Sequence, residues 1–441
     1  MKHGKKRSVG GILLLYHHPL RRDAPTIMEH VNSFRECSRF KVWNVNTELG
    51  FPRALAGLEF QAIVLHYSLF GSTSYMLGEE FLRYLDECES SYKVAFFQDE
   101  IQLCQQRFRF LNRHKIDCVY TMVEPAYFKD FYGKFTSVPK VINYIPGYVS
   151  EGLISAARRL TVPDAERGVD VGYRARSLPF AFGRGAREKT DVADGFLARA
   201  AGLGLRLDIK TGDDARIYGG DWYKFVANCR AVLGVESGAS FTDVYDIAHP
   251  ECERLMAENP GVTFEELSRR LLCRWENNIP YRTISPRHFE AAALRVCQIL
   301  FEGKYSGVMQ PMVHYIPLKK DFSNFEEVIG MLRDEGLRRE MTERAYRDLI
   351  ASGRYSYRSF VRGFDEELLK EGLRLQVGPG EAARVGALLR AEESYRRARR
   401  GVAQAAYTPF PGRRVAVAFA RSLVKFCRRV RNSGSPKPDS A

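Results

Sequence analysis

Short apolar runs alternate along the chain with longer segments whose apolar residues recur at helical spacing. The short runs are typical of buried strands, and the segments between them predict helices. Regular alternation of strands and helices favours parallel sheets covered by helices, so the predicted fold class is α/β. The predicted strands are 11–16, 40–44, 62–66, 93–98, 118–122, 140–144, 169–173, 205–209, 231–235, 296–301 and 314–318.

The alternation is lost at residues 151–168, a stretch that contains proline, glycine and polar residues, and it resumes at residue 169. This interruption predicts two Rossmann-like doubly wound domains in tandem. The predicted domains are 1–160 and 169–355, the second with a helical insertion near 251–275. Residues 356–441 are predicted to form a helical extension with a basic tail.

The composition is that of a folded globular protein. Of 441 residues, 45% are hydrophobic and 27% charged, which excludes a collagen-like or disordered chain. The net charge of +14 belongs to the ends: residues 1–9 have four basic residues and no acidic one, and residues 381–441 have fourteen basic and four acidic ones. Because the rest of the chain is neutral and carries no recognition motif, no nucleic-acid partner is expected.

The cysteines indicate a reducing compartment. All nine are scattered, with no pair of the CxxC type. The apolar run 9–16 follows basic residues, as in a signal peptide, but no small-residue cleavage site comes after it, which favours a buried first strand. No apolar run is long enough to cross a bilayer, so we predict a cytoplasmic location.

Several motifs that mark common enzyme classes are missing from the sequence. The sequence has no GxxxxGK[ST] phosphate loop, no HExxH or GxSxG motif and no strict Asp-x-Asp pair. A P-loop nucleotidase, a zinc protease and a serine hydrolase of the elbow type are therefore disfavoured. We predict no metal site and no cofactor.

A glycine-rich turn at residues 183–188 opens a predicted helix. It lacks the third glycine of a dinucleotide fingerprint, but such a turn offers backbone N–H groups to a phosphate. Basic side chains around it would suit a diphosphate. These are Arg174, Arg176, Arg184, Arg187 and Lys189. The alternative is a solvated basic loop.

Two further segments contain candidate binding residues. Residues 234–240, with Glu236 and Ser237, follow a predicted strand, where ligands of α/β sheets collect, although a plain turn would have similar residues. At 285–294, Ser285 is the predicted N-cap of a helix in which Glu290 precedes small and apolar residues. Glu290 then needs a polar partner, such as a ribose diol. An exposed salt bridge or interaction with the helix dipole is the alternative.

These segments resemble a known family. Residues 169–332, and specifically 170–179, 234–240, 287–290 and 314–323, are similar to the nucleotide-binding half of GT-B glycosyltransferases, above all the group-1-like and spore-maturation (CgeB-like) transferases. The resemblance implies that the second domain holds a nucleotide sugar, with Arg176 and Lys189 at the diphosphate and Glu290 at the ribose. The family commonly has two glutamates eight residues apart. That pair is missing here, because the residue eight positions before Glu290 is Arg282. The predicted donor-binding residues are Arg174, Arg176, Lys189, Glu236, Ser237, Arg287 and Glu290.

In the first domain, polar side chains follow three predicted strands. His66 ends one strand and Asp99 follows another, as His17 and His18 follow the first. An imidazole or carboxylate at the carboxyl edge of a parallel sheet could remove a proton from an acceptor hydroxyl. We predict His66 and Asp99 as catalytic, against the alternative that each is ordinary polar surface.

The basic tail has helical periodicity at 415–431, with apolar residues on one face and Arg and Lys elsewhere. A basic amphipathic helix of this kind binds anionic lipid, or else packs back on the protein. The first of these alternatives predicts peripheral association with the inner membrane face.

Taken together, the sequence predicts a metal-independent glycosyltransferase that moves a sugar from a nucleotide-diphosphate donor to an acceptor hydroxyl in an inter-domain cleft. The acceptor, whether glycan, lipid-linked glycan or protein, is not indicated. The alternative is a non-catalytic GT-B-like binding or scaffold protein that associates with a membrane or partner. A dinucleotide oxidoreductase is disfavoured by the incomplete glycine fingerprint.

Overall fold

The structure, a computed structural model, describes residues 6–19, 25–71 and 75–407. Within these residues the strands are β1 (Arg7–Tyr16), β2 (Val42–Asn46), β3 (Leu58–Leu65), β4 (Tyr92–Phe96), β5 (Cys118–Thr121), β6 (Lys140–Asn143), β7 (Val169–Ala175), β8 (Leu207–Thr211), β9 (Cys229–Gly234), β10 (Ser237–Ala239), β11 (Tyr281–Thr283), β12 (Cys297–Phe301) and β13 (Ile316–Leu318).

The helices of the same residues are α1 (Pro25–Cys37), α2 (Glu79–Glu87), α3 (Cys104–Arg113), α4 (Glu151–Leu160), α5 (Arg184–Ala200), α6 (Gly219–Ala227), α7 (Ala248–Glu258), α8 (Phe264–Arg270), α9 (Pro286–Ala293), α10 (Phe325–Arg333), α11 (Glu335–Ala345), α12 (Tyr357–Lys370) and α13 (Pro379–Tyr407).

The first sheet has the strand order β2-β1-β3-β4-β5-β6. β1 pairs in parallel with β2 and β3, with Leu13 opposite Trp43 on one side and Ile63 on the other. Residues 12–15 are all fully buried, as expected of a strand covered by helices on both faces. The order changes direction between β1 and β3, which places a ligand-binding switch point at their carboxyl ends.

The second sheet repeats this arrangement in the order β13-β12-β9-β7-β8, and its pairs are parallel. Its switch point lies between β7 and β9. One apolar cluster includes Phe289 and Leu300, and another includes Val192 and Phe325. Two separate parallel sheets confirm the predicted α/β class with two Rossmann-like sheets.

An insertion leaves the second sheet after β9. The short strands β10 and β11 pair antiparallel, with Ser237 opposite Thr283, and residues 240–280 lie between them. At Gly238 the backbone has φ +102° and an added Cβ would overlap the carbonyl of Tyr281, so glycine is required there. The insertion has its own apolar cluster around Phe241, Phe264 and Leu267. Its helices α7 and α8 lie in the region predicted as a helical insertion.

The interval 151–168 is more ordered than its composition predicts. Residues 151–160 form α4, whose N-cap Ser150 accepts a hydrogen bond from the backbone N–H of Leu153. Leu153 and Ala157 are buried in the same cluster as Phe289. Helix α4 is thus amphipathic, with an apolar inner face and a polar outer face. The polar residues led the sequence analysis to predict a connection between domains at this place.

By their internal contacts the residues divide into two units. Of the described residues, the first unit comprises 6–19, 25–71, 75–96, 114–118 and 362–407, and the second comprises 97–113 and 119–361. In the first unit, Asp365 of α12 accepts hydrogen bonds from the Ser38 side chain and the Arg39 backbone, both at 2.7 Å. The predicted domain boundaries stay predictions.

A search of the described helices finds none that is both long and apolar enough to span a membrane. The amphipathic segment predicted at 415–431 lies outside the described residues.

Candidate functional site

Several of the predicted donor-binding residues lie around the carboxyl ends of β7 and β9. Arg174 is the penultimate residue of β7 and Arg176 follows that strand, while Glu236 follows β9. Lys189 lies in the second turn of α5. The switch point of the second sheet thus gathers charged groups that are far apart in the sequence.

Arg174 is buried and bonded to the protein. Its Nη2 lies 2.8 Å from both carboxylate oxygens of Asp208 on β8, and its guanidinium lies 4.3 Å from the ring centre of Phe225. This bidentate pair ties β7 to β8. A donor contact by Arg174 stays a prediction, and its partner Asp208 was not anticipated.

Arg176 and Lys189 differ from Arg174. Within the described residues neither side chain makes a hydrogen bond or an ion pair at contact distance. Arg176 is exposed and Lys189 is half-buried. Both interact electrostatically with Asp99, and with one another. They are therefore cations that can accept a diphosphate without first breaking a protein contact.

The environment of Lys189 disfavours its charge. Desolvation is the main cause that lowers its pKa to about 8, and repulsion from Arg287, Arg176 and Arg282 acts in the same direction. Asp99 opposes this shift. An anion bound among these cations would be stabilised electrostatically by all of them.

The turn before α5 is less open than its sequence predicts. Gly183 has φ +74°, which allows the sharp entry into the helix. The Arg184 backbone N–H donates to Glu276 at 3.4 Å, and the Gly185 N–H donates to Ser240 Oγ at 2.7 Å. Two of the amides expected to meet phosphate are thus bonded to side chains of the insertion.

Glu236 belongs to a buried ion network centred on Arg282. The Arg282 guanidinium bonds to Glu188 of α5 and lies 3.5 Å from Glu236. Lys320 contacts the other oxygen of Glu188 at 2.7 Å, and Glu236 also accepts the Tyr305 backbone N–H at 2.8 Å. The network fixes β11, α5 and the turn after β9 to one another. Ser237 lies beside it as the first residue of β10.

Glu290 and Arg287 lie one turn apart on α9. The predicted cap is confirmed: Ser285 accepts the Arg287 N–H, and His288 completes a capping box. Glu290 accepts a hydrogen bond from Trp222 Nε1 at 2.7 Å, and the Arg287 guanidinium lies over the ring of Trp222. The polar partner that Glu290 was expected to need is, at least in part, this indole.

Asp99 follows β4 with φ +58°, a left-handed conformation that is uncommon for Asp and often marks functional sites. The residue is exposed. Desolvation by the nearby protein nevertheless raises the pKa of Asp99, while Lys189, Arg107 and Arg176 lower it. Its neighbour Glu100 is buried and bonded to Thr121 and Tyr132, and burial raises the pKa of Glu100 to about 7.

His66 has no exposed surface. Its Nε2 lies 2.9 Å from His30 Nδ1 and its Nδ1 lies 2.8 Å from Ser68 Oγ. Burial, and then the proximity of His30, hold its pKa well below the usual range. His17 lies in the same unit, with Nδ1 3.4 Å from Thr47 Oγ1. The catalytic role of His66 stays a prediction that its two ring contacts do not support.

Residues 6–19, 25–71 and 75–407 contain no group of three or more side chains placed to hold a metal ion. Besides Asp208, three residues of the site were not anticipated from the sequence: Trp222, Glu276 and Arg282. Each acts through a partner at least 68 positions away. Only the position of Arg282, where the resembling family has Glu, could have drawn attention to it.

No protein-family model and no curated protein sequence matches the chain. Solved structures that match include glycosyltransferases of the GT-B fold. Anabaena HepE, solved with UDP, is 11% identical with a TM-score of 0.43, over 82% of this chain and all (100%) of that one.

S. aureus TarM is 11% identical with a TM-score of 0.41, over 68% of this chain and 54% of that one. The pneumococcal O-GlcNAc transferase GtfA is 12% identical with a TM-score of 0.38, over 73% and 59%. The chain thus spans little more than half of these two proteins. At such identities and TM-scores the similarity carries no functional argument, and the fold stands on the strand order of the two sheets.

Proposed function

We propose that the protein transfers a sugar from a nucleoside diphosphate sugar to an acceptor hydroxyl. The acceptor oxygen forms a bond to the anomeric carbon, and the bond from that carbon to the diphosphate oxygen breaks. The nucleoside diphosphate leaves with the bonding electrons, and the hydroxyl proton passes to a base of the protein. No oxidant or reductant enters this balance.

The observation that carries the proposal is that two cations at the switch point of the second sheet are unpaired in the part of the chain that the structure describes. Arg176 and Lys189 have no contact partner within the described residues, whereas Arg174 and Arg282 beside them are paired with carboxylates. Unpaired cations at the carboxyl ends of parallel strands favour a phosphorylated ligand. They would stabilise the charge that develops on the departing diphosphate.

Supporting residues complete the assignment. Arg287 contributes to the positive field at Lys189, and Glu290 is proposed to bind the ribose. For the base we favour Asp99 over His66, because Asp99 is exposed and interacts electrostatically with Lys189 and Arg176. The raised pKa of its carboxylate makes it a better proton acceptor than an ordinary Asp.

Calorimetric titration with UDP, GDP, ADP and CDP and their sugar conjugates tests donor binding. We expect one base to be bound, and Arg176→Gln or Lys189→Met to weaken that binding by roughly tenfold or more, as for hydrogen bonds to charged groups. Arg113→Gln and Lys129→Met, which change exposed cations elsewhere, serve as matched controls. Failure of the wild-type protein to bind any of these nucleotides would contradict the proposal.

An assay of donor turnover distinguishes an enzyme from a protein that only binds the donor. With the preferred donor, release of the nucleoside diphosphate is expected even without acceptor, through slow transfer to water. Addition of a chelator should leave this release unchanged, since the proposal includes no metal. A protein that binds the donor and never cleaves it would instead be the non-catalytic scaffold.

A further inference from the structure

One indole contacts two of the predicted donor-binding residues at once. Trp222, half-buried in α6, donates from Nε1 to Glu290 Oε2 at 2.7 Å. The Arg287 guanidinium carbon lies 4.5 Å from the ring centre of the same side chain. Because Arg287 and Glu290 are three residues apart on α9, their side chains lie on one face of that helix. A single residue of α6 therefore contacts both.

The two contacts constrain different groups. A hydrogen bond from the indole to a carboxylate is charge-assisted and fixes the orientation of Glu290. The contact between the guanidinium and the aromatic ring holds a long side chain that otherwise samples many rotamers. Groups held in place before a ligand arrives lose less entropy when it binds.

Trp222 is itself held by neighbours in α6 and β7. Its ring centre lies 5.7 Å from that of Phe225, and Arg174 covers Phe225 at 4.3 Å. The aromatic pair therefore has an arginine over each of its members, and Arg174 is anchored by Asp208. This series of contacts connects the β7–β8 pair to the residues of α9.

We infer that Trp222 is a positioning residue of the donor site, which orients Glu290 toward the ribose through its N–H and holds Arg287 near the diphosphate through its ring. The inference rests on the proposed function. Trp222 contacts neither reacting atom in this assignment and acts through the two residues of α9.

The two contacts can be separated by substitution. Trp222→Phe keeps an aromatic face for Arg287 and removes the N–H, so it should weaken the preferred nucleoside diphosphate by about two- to tenfold and leave inorganic pyrophosphate unaffected. Trp222→Leu removes both contacts and should weaken both ligands. Trp43→Phe is the control, because Trp43 Nε1 has no hydrogen-bond partner in the described part of the chain.

Coupling to Glu290 distinguishes positioning from a general structural role. In a Glu290→Ala background, Trp222→Phe should have no further effect on nucleoside diphosphate affinity, since the group through which it acts is gone. Equal affinity of the wild-type protein and Trp222→Phe, equal weakening of pyrophosphate by Trp222→Phe, or additive effects with Glu290→Ala would overturn the inference.

A measurement on the wild-type protein keeps the test independent of variant folding. The chain has three tryptophans, at positions 43, 222 and 275. Trp43→Phe and Trp275→Phe each remove one indole N–H signal from the nitrogen-15 spectrum, and the third signal is that of Trp222. The nucleoside diphosphate should shift the Trp222 signal, and no shift on saturation would contradict its role. If the wild-type protein binds no nucleotide, the proposed function itself fails; if it binds and Trp222 does not respond, only the positioning role is wrong.

Discussion

Lys189 has a lowered pKa because it is desolvated among three arginines. A bound diphosphate favours its ammonium form, so the pKa of Lys189 should rise on binding and a proton should be taken up around pH 8. Affinity should then fall as the pH rises above about 8, where the free protein loses this charge. Titration calorimetry in two buffers of different ionisation enthalpy measures the uptake, which Lys189→Met should abolish and Lys129→Met should retain.

The same shift predicts an effect on stability. The pKa of Lys189 is lower in the folded protein than the ordinary value of 10.5, so the folded state binds the proton less well than the unfolded state. The resulting penalty is full below pH 8 and disappears as the pH rises through 10.5. We therefore expect Lys189→Met to raise the melting temperature at pH 7 and to lose this advantage at high pH. A melting temperature lowered at pH 7 would show that the lysine is stabilising.

Arg174 and Arg176 are two positions apart but should respond oppositely to substitution. Arg174→Gln breaks the ion pair of a buried arginine with a half-buried aspartate and leaves Asp208 without its cation, which should cost about 1–3 kcal/mol of unfolding free energy. Arg176→Gln removes an exposed, unpaired cation and should stay within about 0.5 kcal/mol. Denaturant unfolding measures both, and nucleotide titration should show the stronger loss for Arg176→Gln.

At the scale of elements, α3 is capped by a distant part of the chain. Asp246 in the insertion accepts the backbone N–H groups of Cys104 and Gln105 at 2.8 and 3.0 Å. Loss of such a cap costs about 0.5–2 kcal/mol, so Asp246→Ala should lower the unfolding free energy by this amount. Asp130→Ala, at an exposed position of the same unit, is the control. Equal stability of the two variants would mean that water replaces the cap.

Local signals predicted most elements because each depends on neighbours in sequence. Strand β1 and helix α9 follow from a continuous apolar run and from Ser285 with Pro286. The antiparallel pair of β10 and β11 was not predicted, since each has only three residues and the two are separated by the insertion. Such short strands are determined by their partner rather than by their own periodicity.

At the scale of the whole molecule, the basic carboxyl-terminal region consists of two parts. Helix α13 packs in the first unit, where Arg400 and Arg396 bond to backbone carbonyls of Glu48 and Gly50. Residues 408–441, outside the described part, carry eight Lys and Arg and one acidic residue. The second part is the one to test for membrane binding, since removing α13 would also expose the surface that it covers.

We expect the full chain to sediment with vesicles that contain anionic lipid, and a chain ending at Tyr407 to remain in solution. Each basic residue near such a surface contributes about 1 kcal/mol, and high salt should release the protein because it screens this attraction. Neutral vesicles are the control. Equal sedimentation of the two chains, or none for either, would contradict membrane binding by the tail.

The sequence by itself determined the α/β class, most strands and the charged residues from which the site is drawn. These features depend on burial periodicity, capping and composition, which are local properties of the chain. Only the tertiary structure decided which of these charges are already paired. Arg174 meets Asp208, and Glu290 meets Trp222, across 34 and 68 positions. Because such pairings arise from how helices and strands pack, no local pattern distinguishes the paired Arg174 from the unpaired Arg176.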